Sequence, residues 1–335
     1  MTNRKLSSVL SLIEERRREH SKPSERKDVR FVALVVEGGA MRGVVSGGMV
    51  SALEQLELTN SIDAVYGSSA GAIAGAYFIA GQATYGTTIY YENINNSNFI
   101  DITRGFVGKS VVSLEYLLDD VCVHQKPLDC DAIIKSPIEL NVVAASLSAQ
   151  KAIILKKFKS GEELRTALKG SSRIPFFAGS PVEWNGDRLL DASLYESIPY
   201  KQALADPRVT DILVLLTRPK GNLRSAPGFV DKYFVIPYLR KLSPIIADHY
   251  SKREVDYKDE LDELASLSVE TEGGKNVFMI QLASTDIKVS SLEKSRKKLV
   301  QGAVSGFKAV YNSFGYQADE FIEVIVPYRQ HRTLV

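Results

Sequence analysis

Apolar positions fall along this chain in two rhythms. Residues 31–36 form an unbroken apolar run, as in a strand buried on both faces, and the run stops at Gly38-Gly39. Over 44–58 the apolar residues recur at helical spacing. Ala64-Val65-Tyr66 then makes a second short strand ending at Gly67, and 70–80 is small and apolar all round, which predicts a helix packed on a sheet. The same reading predicts paired strands over 138–146 and 152–156 and a helix over 162–169. Leu189-Leu190 runs into Asp191-Ala192-Ser193, followed by a short helix over 200–205. Buried strands over 211–217 and 276–282 and a closing helix over 292–314 complete the pattern. Strands alternating with helices predict an α/β architecture around a mainly parallel sheet. Upstream, Leu6, Val9, Leu10 and Ile13 give a short amphipathic helix, with a polar linker over 21–28. The expected organisation is an N-terminal helix and basic linker over 1–30 and one domain over 31–335.

Composition narrows the class. Apolar residues are 44% and charged residues 24% of 335, enough to fill a sizeable core. The net charge of +2 gives no global pull toward nucleic acid. Basic residues crowd positions 16–30, where a solvated face is expected. Cys122 and Cys130 are the only cysteines, too few for a disulfide framework, and they suit a reducing, cytoplasmic setting. The N-terminus shows no signal-peptide core, and no stretch approaches the roughly 20 apolar residues that span a bilayer. Membrane contact, if made, is expected from the side. Positions 228–246 suit it, interleaving Phe229, Val230, Tyr233, Phe234 and Tyr238 with Lys232, Arg240 and Lys241. A buried helix broken at Pro237 is the competing and commoner reading.

Gly67-Ser68-Ser69-Ala70-Gly71 is a G-x-S-x-G pentapeptide between a strand and a helix. A nucleophile on such a sharp turn needs small neighbours so that its Oγ stands clear, and the helix N-terminus favours developing negative charge. The alternative is a glycine turn that merely lets the helix pack closely. Gly38-Gly39-Ala40-Met41-Arg42-Gly43 occupies the preceding strand-to-helix connection. It lacks the Gly-Lys-Ser/Thr of a phosphate loop and the G-x-G-x-x-G of a dinucleotide site. Adjacent βα loops of a parallel sheet emerge at the same edge, so this turn is placed to supply oxyanion donors to Ser69. Arg42 has two readings, a substrate anion ligand or a brace for the loop.

A base is needed. Of the four histidines, His20, His124, His249 and His331, none sits in a strand-end loop with small neighbours; His249 alone has the chain order of a triad. Asp191, at a strand end with Ala192 and Ser193 after it, is placed as an active-site carboxylate, and burial there would raise its pKa toward a useful range. A turn-forming aspartate fits the same position.

Taken together, these residues resemble the patatin-like phospholipases, particularly the bacterial branch. Residues 36–43 look like that family's Gly-Gly-Gly-x-Arg-Gly loop, 67–71 like its nucleophile elbow, and Ser171-Ser172-Arg173-Ile174-Pro175-Phe176-Phe177 with Asp191-Ala192-Ser193 like the block carrying the dyad aspartate. The resemblance implies a three-layer α/β/α sandwich and a lipid acyl hydrolase without metal or organic cofactor. It implies that Ser69 attacks an acyl-lipid ester, Asp191 takes its proton, and the amides of Gly39 and Ala40 hold the oxyanion. Three positions depart from the family pattern: Ala40 for its third glycine, Arg173 where a small apolar residue is usual, and Ala192 after the aspartate. A general esterase or thioesterase with a histidine triad is the alternative among enzymes, although only two strands precede Gly67. A lipid-binding regulatory protein without turnover is the alternative outside them.

Overall fold

The computed structural model describes residues 7–268 and 274–318. After α1 (Ser8–Arg18) come β1 (Val32–Val36), α2 (Val44–Gln55), β2 (Ala64–Ser68) and α3 (Ala70–Ile79). Further along lie β3 (Glu139–Ser146), β4 (Lys151–Leu155), α4 (Gly161–Ser172), β5 (Val182–Trp184) and β6 (Asp187–Asp191). Next come α5 (Tyr200–Ala205), β7 (Asp211–Leu216), α6 (Ile236–Leu242) and α7 (Pro244–Leu267). β8 (Asn276–Gln281) and α8 (Arg296–Ser313) follow.

The strands form one sheet in the order β5-β6-β3-β2-β1-β7-β8, with β4 added on β3. β3, β2, β1, β7 and β8 run parallel to one another, whereas β4 and β6 pair antiparallel to β3 and β5 antiparallel to β6. β1 shows why the sheet sits between two helical layers. All five of its residues are fully buried, and they divide by alternation. Val32, Leu34 and Val36 pack into one core with α1, α2, α3 and α8, while Ala33 and Val35 pack into another with Tyr200 of α5 and Tyr257 and Leu264 of α7. The chain is thus a mixed α/β protein with a mostly parallel central sheet flanked by helices.

Three expectations change. The basic N-terminal segment is solvated only in part: Arg18, Lys22 and Lys27 are exposed, but Arg16 is not. α1 docks Val9, Leu10 and Ile13 into the main core and carries Arg16 in with them. There the Arg16 guanidinium donates to Asp63 at 2.7 Å and to Asp28 at 2.7 Å, and Arg26 reaches the other oxygen of Asp63 at 2.8 Å. A buried charge tolerates this position because it is paired and hydrogen-bonded. The closing helix begins at Arg296 and not at 292, because Glu293 accepts from the amides of Lys294 and Ser295, and Ser295 then caps the helix. Within 228–246, Val235 and Leu239 are buried as a core helix requires, but Phe229, Val230, Tyr233 and Phe234 remain exposed. No helix among the described residues is long and apolar enough to cross a membrane.

Candidate active site

The sheet register brings Ser69 and Asp191 together. Val142 and Val143 of β3 face Gly67 and Ser68 of β2 on one flank and Leu155 and Ile154 of β4 on the other. Ala144 faces Ile153 of β4 and Asp191 of β6. A strand residue has only two flanks, so β2 and β6 must share one edge of β3, β2 along its first half and β6 along its second. Because β6 is antiparallel, the two strands run toward each other and their last residues, Ser68 and Asp191, stand opposite consecutive residues of β3. Ser69 follows Ser68 directly.

Ser69 has φ 53° and ψ −130°, outside the regions an ordinary residue prefers. The strain is held by close packing. A Cβ on Gly71 would lie 2.2 Å from the Val36 carbonyl oxygen, one on Gly67 would lie 2.5 Å from Ala72 Cα, and one on Gly43 would lie 2.5 Å from the Tyr90 hydroxyl. The Ser69 amide donates to Ser171 Oγ at 2.8 Å, and Ser171 in turn donates to the Val143 carbonyl at 2.5 Å. Ser171, buried at the end of α4, carries no local signature that would have singled it out as a support of the elbow.

Asp191 is 1% exposed. Its Oδ1 accepts from the Ser193 amide at 2.9 Å, and its own amide donates to the Arg173 carbonyl at 3.0 Å. Oδ2 has no partner at standard hydrogen-bond geometry among the described residues, yet the Ser69 hydroxyl is near enough to favour the charged carboxylate. Burial dominates and raises the pKa; Ser193, Ser69 and Arg224 oppose it. Ala192 is fully buried in the turn that aims Ser193 at the carboxylate. Arg173 is a brace. Its guanidinium donates to the Ala178 carbonyl and to Glu115 at 2.8 Å, pinning the segment that leads from α4 toward β5.

The glycine loop closes the site from the β1 side. A Cβ on Gly38 would lie 2.6 Å from the Ser68 carbonyl oxygen and 2.9 Å from Ser69 Cβ, so only glycine allows this approach. Gly39 has φ 151° and Ala40 φ 51°. Ala40 therefore does occupy a left-handed position, at a cost of roughly 1–2 kcal/mol. The amides of Gly38, Gly39 and Ala40 have no acceptor among the described residues. Thr217 fixes the loop, its hydroxyl donating to the Gly38 carbonyl at 3.1 Å while its amide donates to Glu37 at 2.6 Å. Tyr257 donates to the other Glu37 oxygen at 3.0 Å. Arg42 donates to Thr217 Oγ1 at 3.3 Å; burial and the neighbouring Arg218 push its pKa down to about 10.

Gly38, Gly39, Ala40, Arg42, Ser69 and Asp191 all line one cavity of about 430 Å³. Gly43, Gly67 and Gly71 stand behind it and set the backbone. The cavity lining is mixed. Ile73, Tyr90, Ile94, Phe99, Leu114 and Leu117, all of the main core, give it an apolar wall, and Arg42, Arg218, Arg224 and Arg253 also line it. Neither His20, His124 nor His249 lines it; His249 is exposed and contacts Asp256 at 3.2 Å. His331 lies outside the described residues.

Comparison with known proteins finds relatives by sequence and by structure. A protein of Escherichia coli K12, the uncharacterized protein YjjU, is 25% identical over 231 residues, which span 68% of this chain and 63% of that protein. The chain therefore matches less than two thirds of that relative's length. Among solved structures, VipD of Legionella pneumophila aligns with 11% identity over 85% of this chain and 67% of its own, TM-score 0.37. Human GIVD cytosolic phospholipase A2 aligns with 12% identity over 92% of this chain and 64% of its own, TM-score 0.39. The family model described as patatin-like phospholipase matches residues 34–204, about half of the sequence and the part that contains both the elbow and Asp191. On that match, the chain belongs to the patatin-like phospholipase family.

Proposed function

We propose that this protein is a lipid acyl hydrolase working through a Ser69–Asp191 dyad and an acyl-enzyme intermediate. The observation that carries the reading is the convergence of Ser69, Asp191 and the glycine loop on one cavity with an apolar wall. Asp191 takes the Ser69 proton as Oγ attacks the ester carbonyl. The negative charge that develops on the carbonyl oxygen is received by backbone amides of the loop 38–40, which have no acceptor among the described residues. Collapse expels the alcohol, which leaves with the proton held by Asp191. Water, deprotonated by the same carboxylate, then releases the fatty acid and regenerates Ser69. The apolar wall is suited to an acyl chain. Placement of the whole catalytic domain within 31–335 belongs to the same proposal, with residues 1–30 as its N-terminal helix and basic segment.

The proposal includes contact with a lipid surface. Gly228 donates to Asp231 at 2.9 Å, and Asp231 lines the cavity, so exposed Phe229, Val230, Tyr233 and Phe234 lie on the segment bordering its lining. A histidine triad has no support in the placement of His20, His124 and His249. A fluorophosphonate probe tests the core of the reading: it is expected to label the wild type at Ser69 and to leave Ser69→Ala unlabelled. Labelling elsewhere, or none with hydrolysis intact, would overturn it.

A further inference from the structure

The apolar wall accounts for an acyl chain, but the arginines set around the same cavity are not explained by ester chemistry. Arg42 comes from the loop after β1, Arg218 follows β7, Arg224 lies in the connection to α6, and Arg253 projects from α7. All four line the cavity. Only Arg253 has a carboxylate partner, Asp231 at 2.7 Å; Arg42, Arg218 and Arg224 form no ion pair among the described residues. Arg218 Nε and Arg253 Nη1 are buried donors without an acceptor among the described residues. Arg224 is positioned, since its Nη1 donates to Ser197 Oγ at 2.7 Å. Three carboxylates, Glu37, Asp191 and Asp231, line the cavity with them. Glu37 is already engaged by Thr217 and Tyr257, Asp231 by Arg253, and Asp191 by the Ser193 amide and the nearby Ser69 hydroxyl, although its charge still acts on Arg224. Mutual repulsion among these cations adds to burial in lowering the pKa of Arg42 and of Arg224.

Unpaired guanidiniums in a half-buried wall are costly unless an anion completes them. The planar fork of arginine donors fits a phosphate group bidentately. We infer that Arg218, Arg224 and Arg253 form a headgroup subsite for a doubly charged phosphate monoester, so that the enzyme prefers lipids bearing a terminal phosphate over zwitterionic or uncharged lipids. The inference rests on the hydrolase reading and sharpens it to a substrate class. A phosphodiester carrying choline offers a single negative charge and brings an ammonium against the same cations, whereas a terminal phosphate offers two charges and more free oxygens.

Three lipids with one common acyl chain test this: a lysophosphatidate, a lysophosphatidylcholine and a monoacylglycerol. Wild-type kcat/KM is expected to favour the phosphate monoester by at least about tenfold, the change that one charge-assisted hydrogen bond brings. In Arg218→Gln/Arg224→Gln that preference should shrink by about the same factor, while Arg18→Gln, exposed on α1 and outside the cavity lining, keeps it. A flat wild-type preference overturns the headgroup assignment however the variants fold. As a second readout, inorganic phosphate should raise the unfolding temperature of Ser69→Ala protein and fail to do so once both arginines are glutamine. Phosphate protection with a flat lipid preference would reassign the site to free phosphate and overturn the headgroup role. If no lipid is cleaved, the neutral one included, the hydrolase reading itself falls, and the phosphate titration alone decides the anion site.

Discussion

The hydroxyl of Ser171 accepts a hydrogen bond from the Ser69 amide at 2.8 Å and donates one to the Val143 carbonyl, bridging the elbow to the sheet. The Ser69 backbone is strained and nearly buried, so this acceptor helps hold a conformation that costs roughly 1–3 kcal/mol. Ser171→Ala leaves a buried N–H without a partner. Urea denaturation is expected to show a loss of about 1–3 kcal/mol, with kcat reduced more than KM is changed. An unchanged unfolding midpoint would mean that the amide finds another acceptor and that Ser171 is not the brace.

Activity should depend on pH through Asp191. As a base it must be ionised, and burial raises its pKa above the ordinary carboxylate value. kcat/KM is therefore expected to fall on the acid side, along a limb displaced upward from that value. Asp191→Asn should lower turnover by about 10²–10⁴-fold. The stability effect has the opposite sense. The neutral carboxyl is favoured in the fold, so its stabilising contribution is complete below the unfolded pKa and disappears as pH rises through the folded one. Asp191→Asn should thus be more stable than wild type near neutrality, with the gain vanishing in acid. A variant less stable than wild type at neutral pH would show that the ionised carboxylate is well compensated.

Some of this site is legible in the sequence and some is not, for physical reasons. The run 31–36, the pentapeptide 67–71 and the glycine loop 38–43 announce themselves because a doubly buried strand and a tight turn each demand particular residues locally. The antiparallel course of β5 and β6, which delivers Asp191 to the end of β2, depends on pairing with a strand some 45 residues upstream, and short strands such as Val182–Trp184 leave almost no periodicity. α7 is largely missed by the apolar pattern. It buries only Ile246, Ala247, Tyr250, Tyr257, Glu260 and Leu264 in 24 residues, so its apolar stripe is faint. The gathering of Arg42, Arg218, Arg224 and Arg253 has no local signature, because topology alone assembles it.

Glu260 of α7 makes a separate stability prediction. Burial, with Glu196 nearby, lifts its pKa from an ordinary 4.5 to about 8. Its Oε1 accepts from the Ser197 amide at 3.0 Å, while Oε2 has no partner among the described residues. The protonated form is the one the fold holds. Its contribution is complete below pH 4.5 and is lost as pH rises through about 8. Glu260→Gln keeps the acceptor for Ser197 and cannot ionise. Between about pH 5 and about pH 9, wild-type stability should fall relative to this variant in urea titrations. Parallel curves would show that Glu260 ionises in the fold as it does in the unfolded chain.

Phe229 and Phe234 give the lipid-contact proposal its sharpest test. They are 70% and 54% exposed and sit on the segment whose Asp231 borders the cavity. Exposed aromatic rings beside Lys232, Arg240 and Lys241 favour an anionic interface, where inserted rings leave water and the cations meet headgroups. Burying one such ring is worth about 1.5–3 kcal/mol, and each cation near an anionic surface about 1 kcal/mol. Phe229→Ser/Phe234→Ser should therefore weaken flotation with anionic vesicles by at least about tenfold, since the lost burial exceeds 1.4 kcal/mol. Lys232→Gln/Lys241→Gln should remove the preference for anionic over neutral vesicles and leave the ring contribution in place. Neither ring is packed in the core, so loss of binding is not expected to reflect unfolding, and unchanged far-UV spectra would establish that. Equal flotation of wild type and the double serine variant would remove this segment from the membrane face.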